Sequence, residues 1–150
     1  MRRAGLITLG LFVSLVALAN PIAVDPSSAT SFHSPAFWAL LAESVVVAAL
    51  VAVFGLAPVP MFLGYFLTNV IVFSAFFLPL LEKTGSGLGI LTLELCVVLL
   101  DGTILLLLSR VRAFRGARYR AFNWWRAGLV SAVGNIFSFL VGWIASGSLL

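Results

Sequence analysis

Long apolar runs separated by short polar segments organise this chain, and five such runs are recognisable. They cover about residues 4–24, 36–56, 60–81, 88–109 and 127–150. A helix needs about 20 apolar residues to cross the hydrocarbon core of a bilayer. The runs are continuously apolar rather than alternating, which favours helices over the strands of a β-barrel. We therefore predict an all-α fold, a polytopic transmembrane bundle of five helices that forms a single membrane domain, 1–150.

The first run, residues 4–24, has a second interpretation as a cleaved signal peptide. Arg2 and Arg3 precede the apolar segment, and Ala-Leu-Ala at residues 17–19 forms a small-x-small cleavage site. The apolar character nevertheless continues through residues 22–24, so we favour a retained first helix. Cleavage would leave four helices.

Short connections constrain how the helices follow one another. Pro58 and Pro60 separate the second and third runs and predict an antiparallel hairpin, because proline ends one helix and opens the next. The third and fourth runs are joined by residues 82–87, a polar turn rich in glycine. The loop of residues 110–126 joins the last two runs.

Positive charge predicts the orientation in the membrane. If every run crosses, one side carries all of the nine Lys and Arg residues except Lys83. By the positive-inside rule, the N-terminus and the 110–126 loop are cytoplasmic and the C-terminus is outside. We predict an integral protein of a plasma or inner membrane.

The 110–126 loop contains six arginines and no acidic residue: Arg110, Arg112, Arg115, Arg118, Arg120 and Arg126. Between them lie aromatic residues of the kinds that settle at the headgroup level: Phe114, Tyr119, Phe122, Trp124 and Trp125. We expect these arginines to contact anionic lipids. A segment this short, held between two membrane helices, is not expected to bind nucleic acid.

Composition agrees with a membrane protein. Hydrophobic residues make up 62% of the chain and charged residues 9%, and the mean hydropathy is +1.17. A soluble domain has about 45–50% apolar and about 25% charged residues. Cys96 is the single cysteine, which rules out an intramolecular disulfide or a CxxC redox pair.

A few polar side chains interrupt the last four runs: Glu43, Asn69, Glu94, Asp101 and Asn135. Ionisable groups inside a bilayer are costly, so these positions indicate function. At 1.5 Å per residue, Glu43 and Glu94 lie about 9–11 Å from the outer end of their helices. The other three lie about 18–22 Å deep. The sequence thus predicts an outer and a central polar layer.

Helical spacing places some of these residues on common faces. Glu94 and Asp101 are two turns apart on one stripe of their helix. On the last helix, small and polar residues recur every three or four positions: Ser131, Asn135, Ser138, Gly142 and Ser146. Such a face allows close helix approach and hydrogen bonds between helices.

Two functions fit this pattern. In one, the carboxylates and amides, with Ser138, form a path for protons or cations, and the chain is a transport or channel component. In the other, the same residues are polar contacts between helices, and the chain is a non-catalytic accessory or assembly subunit of a larger membrane complex. Because four or five helices are few for a lone transporter, we expect a homo-oligomer or partner membrane subunits.

Other chemistry has little support in the residues. His33, the one histidine, lies in the loop before the second run, and no HxxxH or ExxH motif or Cys/His cluster is present. Glu43 and Glu94 at matching depth are a weak candidate for an aspartyl dyad. The membrane serines have no nearby base. We predict no enzyme activity, no catalytic residue, no cofactor and no metal site.

Overall fold

The computed structural model describes residues 34–81, 83, 87–120 and 122–145. Within these ranges every regular element is helical, and the one β contact is an isolated bridge between Leu56 and Arg115. The all-α prediction is therefore confirmed for the described part of the chain. The first apolar run, residues 4–24, lies outside it, as do His33 and Ser146.

The helices follow the four later apolar runs. Helix α1 is Pro35–Val53, α2 is Pro58–Val72, α3 is Leu78–Leu81, α4 is Gly87–Arg110 and α5 is Trp124–Ala145. A π-helical turn, Phe73–Phe77, joins α2 to α3, so that Pro58–Leu81 is one continuous helical stretch. Among the described residues, four stretches are long and apolar enough to cross a membrane: Pro35–Val53, Pro58–Leu81, Thr92–Arg110 and Trp124–Ala145. They indicate a membrane protein.

Local signals explain where α1 begins and ends. Ser34 caps the helix, its hydroxyl accepting a hydrogen bond from the Ala36 N–H at 3.2 Å, and Pro35 occupies the first helical position. The helix ends at Val53, before the end of the apolar run, because Gly55 turns the chain with a φ of +75°. Pro58 and Pro60 lie within the first turn of α2, so they open that helix and do not end α1.

The long helices pack closely on one another. Helix α5 contacts α1 and α4 extensively, and α2 contacts α1 more than it contacts α4. Apolar side chains form a core near the loops that join α1 to α2 and α4 to α5: Val47, Val51, Leu56, Met61, Leu105, Leu106, Phe122, Ala127 and Val130. Outward-facing residues on α2 are apolar and four apart, at Val59, Leu63, Leu67 and Ile71, as expected of a lipid-facing stripe.

Backbone hydrogen bonds fix these two loops together. The Ala57 N–H donates to the Phe114 carbonyl, Gly116 N–H to Gly55 and Arg120 N–H to Phe54, each at 2.9 Å. A Cβ on Gly55 would lie 2.1 Å from the Arg118 carbonyl oxygen, so the close approach requires glycine there. We call this part of the molecule, residues 54–57 with 110–120 and 122–123, the arginine end.

Candidate functional site

A cavity of about 90 Å³ lies between α1, α2, α4 and α5. The six polar residues that sequence reasoning singled out in the membrane all line it: Glu43, Asn69, Glu94, Asp101, Asn135 and Ser138. Its lining reaches Ala36 and Leu81 in the helix turns farthest from the arginine end. We refer to it as the polar cavity.

Asn135 on α5 connects two of the carboxyl groups. Its Nδ2 lies 3.1 Å from Asp101 Oδ2 on α4 and 3.4 Å from Glu43 Oε1 on α1. The same nitrogen also donates to the Ser131 carbonyl one turn earlier, at 3.0 Å. The residues expected to form separate outer and central layers therefore belong to one hydrogen-bonded network.

Tyr65 on α2 completes this network. Its hydroxyl donates to Glu43 Oε1 at 2.7 Å, and its ring is fully buried in the apolar core. Sequence reasoning did not include Tyr65 among the site residues, although it precedes Asn69 by one helical turn and so shares its face. That spacing was the available signal. The contact with Glu43 depends on how α1 and α2 are rotated, which a sequence does not reveal.

Close helix packing brings Glu43 to this position. A Cβ on Gly134 would lie 2.7 Å from Val47 Cγ2 and 3.2 Å from Glu43 Cγ, so α1 and α5 approach closely only because residue 134 has no side chain. On the other side of α5, the Ser131 hydroxyl donates to the Val98 carbonyl of α4 at 2.9 Å. Helix α5 therefore fixes both α1 and α4 around the cavity.

Two polar atoms facing this region lack a hydrogen-bond partner among the described residues. They are Asn69 Nδ2, a donor, and Asp101 Oδ1, an acceptor. Asn69 is 4% exposed and Asp101 2%, so neither side chain has bulk water as a ready partner. Buried polar groups without partners are rare in proteins, because each costs about 1–3 kcal/mol. Both atoms can therefore bind something that enters the cavity.

The cavity is acidic. Glu43, Glu94 and Asp101 are close enough to interact electrostatically with one another, and no Lys, Arg or His is among the described residues that line it. Like charges repel strongly where the dielectric constant is low. Bound protons or a bound cation must therefore offset at least part of the negative charge.

An aromatic wall faces these acids. Phe73 and Phe77 from the π-helical turn line the cavity, as does Phe139 of α5. The rings of Phe73 and Phe77 are stacked with centroids 5.3 Å apart, and Phe139 stacks on Trp143 at 6.1 Å. Single π-helical turns occur frequently at functional sites, because the extra residue changes which side chains face inward.

The described residues contain no group of three or more His, Cys, Asp or Glu arranged to hold a metal ion. The three carboxyl groups line the open space of the cavity. A water molecule needs about 10–15 Å³ of such space, so the cavity has room for several waters or for one small molecule.

The six arginines lie away from this cavity, at the arginine end and the adjoining helix termini. Arg110, Arg112, Arg115, Arg118 and Arg120 are exposed. Arg115 donates from Nε to the Ser109 carbonyl at 3.1 Å and from Nη2 to the Arg110 carbonyl at 2.8 Å, which caps the end of α4. The Arg126 guanidinium lies over the Phe54 ring, 5.1 Å from its centroid.

Comparisons with known proteins supply no family for this chain: no family model, no curated protein and no solved structure matches it. Its class therefore rests on its own features. These are four helices long and apolar enough to cross a membrane and, among them, a polar cavity lined by three carboxyl groups.

Proposed function

We propose that this protein is a transport or channel component that binds protons or small cations in the polar cavity. The observation that carries the proposal is the set of three carboxyl groups, Glu43, Glu94 and Asp101, around one space with no cationic side chain among its described lining residues. Groups that only held helices together would be expected to pair fully with one another. Asp101 Oδ1 and Asn69 Nδ2 do not.

The position of the cavity indicates the direction of access. Its lining reaches Ala36 and Leu81, far from the arginine end, whereas apolar side chains such as Val51, Met61 and Leu105 fill the space between the helices nearer that end. In this proposal a cation enters from the side of Ala36 and Leu81, and the apolar core blocks its further passage. Passage across the membrane then requires either a movement of the helices or a second subunit, which is consistent with a homo-oligomer or partner membrane subunits.

The proposed topology keeps the arginine end in the cytoplasm and the cavity facing outward, in a plasma or inner membrane, by the positive-inside rule. Residues 4–24 form a fifth crossing in this proposal and complete the helical bundle. The exposed side chains of Arg110, Arg112, Arg118 and Arg120 contact anionic lipids. Arg115 and Arg126 have contacts within the chain and contribute less to lipid binding.

The second candidate is an accessory or assembly subunit without transport activity. It is favoured by the bridge from Asn135 to Glu43 and Asp101, since hydrogen bonds between helices also stabilise membrane proteins. The two candidates differ in what removal of a carboxylate does to ion movement.

A flux assay distinguishes a transport component from an accessory subunit. The full-length chain is reconstituted into vesicles that contain a pH-sensitive dye, and proton entry is followed after a pH or potential gradient is applied. We expect flux in the wild type and a loss of tenfold or more in Asp101→Asn and in Glu94→Gln. Both substitutions remove a carboxylate from the cavity with little change in side-chain size.

The matched control is Thr103→Val, also on α4. Thr103 does not line the cavity, and its hydroxyl bonds to the Leu99 carbonyl of its own helix at 2.7 Å. It should keep wild-type flux. Circular dichroism of each variant checks that the helices remain. Absence of proton flux in the wild type, or equal flux in all four proteins, would contradict proton transport through the cavity.

A further inference from the structure

We propose that the polar cavity binds a small organic ammonium cation that also carries an oxygen acceptor, that is, a short amino alcohol. This inference rests on the proposed function and names a substrate class for the same site. Three features of the cavity support this substrate class: its two unsatisfied polar atoms, its aromatic wall and its size.

The unsatisfied atoms specify two complementary groups on the ligand. Asp101 Oδ1 is a buried acceptor without a donor, and Asn69 Nδ2 is a buried donor without an acceptor. An ammonium group supplies N–H donors to Asp101 and positive charge beside Glu43 and Glu94. It cannot accept a hydrogen bond from Asn69. A hydroxyl oxygen near the ammonium group can, and this makes an amino alcohol a better match than a simple amine.

The aromatic wall favours a cation that carries carbon atoms. Phe73, Phe77 and Phe139 line the cavity, and aromatic faces attract ammonium groups. Apolar side chains, including Val72, Val97 and Ile136, form much of the remaining lining. A strongly hydrated inorganic cation gains little from such surfaces, whereas methylene groups pack against them.

The size of the cavity limits the ligand. At about 90 Å³, it has room for about six to nine groups of the size of a water molecule, at about 10–15 Å³ each. Mg²⁺ and Ca²⁺ prefer shells of six or more oxygens, and the described residues contain no cluster of three or more His, Cys, Asp or Glu that could hold a metal ion. The smallest amino alcohol, ethanolamine, has the required groups within this size.

Ethanolamine and ethylamine form a matched pair of probes, because both are ammonium ions at neutral pH and differ by one hydroxyl group. Binding to the full-length wild type in lipid nanodiscs is measured by isothermal titration calorimetry. We expect ethanolamine to bind about tenfold more tightly, the effect of one satisfied hydrogen bond to a buried donor. Sodium chloride at the same concentrations should bind more weakly than either.

Three variants assign the contacts. Asn69→Leu removes the donor and should reduce the ethanolamine preference to about one. Phe77→Leu should weaken both ammonium probes alike, and Asp101→Asn should abolish binding of both. Protons compete with the probes for the carboxylates of Glu43, Glu94 and Asp101, whereas the Tyr65 phenol that faces Glu43 is already protonated and donates to it. Among the described lining residues, α5 contributes only Asn135 and Ser138 as polar groups. Binding of both probes should therefore weaken as the pH falls.

The wild-type comparison needs no substitution, so misfolding cannot produce its result. Absence of saturable ethanolamine binding, or equal affinity for ethanolamine and ethylamine, overturns the inference. If the wild type conducts protons in vesicles but does not bind ethanolamine, the proposed function stands and the inference fails. Specific ethanolamine binding without any flux supports the inference and contradicts transport.

Discussion

At the residue scale, two buried asparagines that line the same cavity near Glu43 differ in their hydrogen bonds. Asn135 Nδ2 faces three acceptors, on Glu43, Asp101 and Ser131, whereas Asn69 Nδ2 has no partner in the described part of the chain. An amide that holds helices together should resemble Asn135. An amide that binds a ligand should resemble Asn69, because an unsatisfied buried donor lowers the free energy of unfolding until a ligand accepts its hydrogen bond.

This contrast leads to a stability prediction. Asn135→Leu removes the donor shared by Glu43 and Asp101 and should lower the free energy of unfolding by about 1–3 kcal/mol. Asn69→Leu removes an unpaired amide and should leave stability unchanged or raise it. Both variants are unfolded in detergent micelles with a chemical denaturant, and circular dichroism is recorded. Equal destabilisation by the two would show that Asn69 is also a structural contact.

The sequence was informative about which residues matter and less so about their partners. Glu43, Glu94 and Asp101 stand out because a carboxyl group in an apolar run is costly, whatever the helix packing. Depth along each helix follows from a fixed rise per residue, but the rotation of a helix about its axis does not. The bond from Tyr65 to Glu43, and the bridge through Asn135, depend on that rotation.

At the scale of the helices, two features shape the cavity and only one has a signal in the sequence. The small and polar face of α5 predicted close packing, and Gly134 lies where α5 approaches α1. The π-helical turn at Phe73–Phe77 has no such signal, since Phe-Ser-Ala-Phe-Phe is compatible with an ordinary helix. Likewise, the proline pair located the hairpin between α1 and α2, while the end of α1 is determined by Gly55.

Glycines 134 and 128 on α5 test the close contact between α1 and α5. A Cβ at residue 134 would overlap Val47 and press on Glu43, whereas a Cβ at residue 128 would meet nothing within 4 Å. We expect Gly134→Ala to lower the free energy of unfolding by about 1–3 kcal/mol, the usual effect of overpacking. Gly128→Ala should be neutral or stabilise by up to about 1 kcal/mol, because alanine favours the helix.

Thermal unfolding in detergent, followed by circular dichroism, measures both variants under one condition. Since Gly134→Ala also displaces Glu43, its proton flux in vesicles should fall along with its stability, while Gly128→Ala keeps both. A Gly134→Ala protein as stable as Gly128→Ala would mean that α1 and α5 are farther apart than described.

At the scale of the whole molecule, polar and apolar interiors occupy different levels of the same four helices. The apolar core adjoins the arginine end, where the loops are fixed to each other by backbone hydrogen bonds. The cavity with its carboxyl groups lies on the other side of this core. Apolar side chains therefore fill the interior at one end, and the acidic groups lie toward the other.

In the proposed function, these carboxyl groups exchange protons with the solution instead of serving as fixed contacts. Infrared spectroscopy of the full-length protein in nanodiscs detects protonated carboxyl groups directly. We expect carboxyl bands that change with the pH of the buffer and shift in D₂O, and that are reduced in Asp101→Asn and in Glu43→Gln. Glu82→Gln, in the predicted polar turn of residues 82–87, is the control and should retain them. Bands that do not respond to pH or D₂O, or that persist unchanged in Asp101→Asn and Glu43→Gln, would contradict proton exchange by these carboxyl groups.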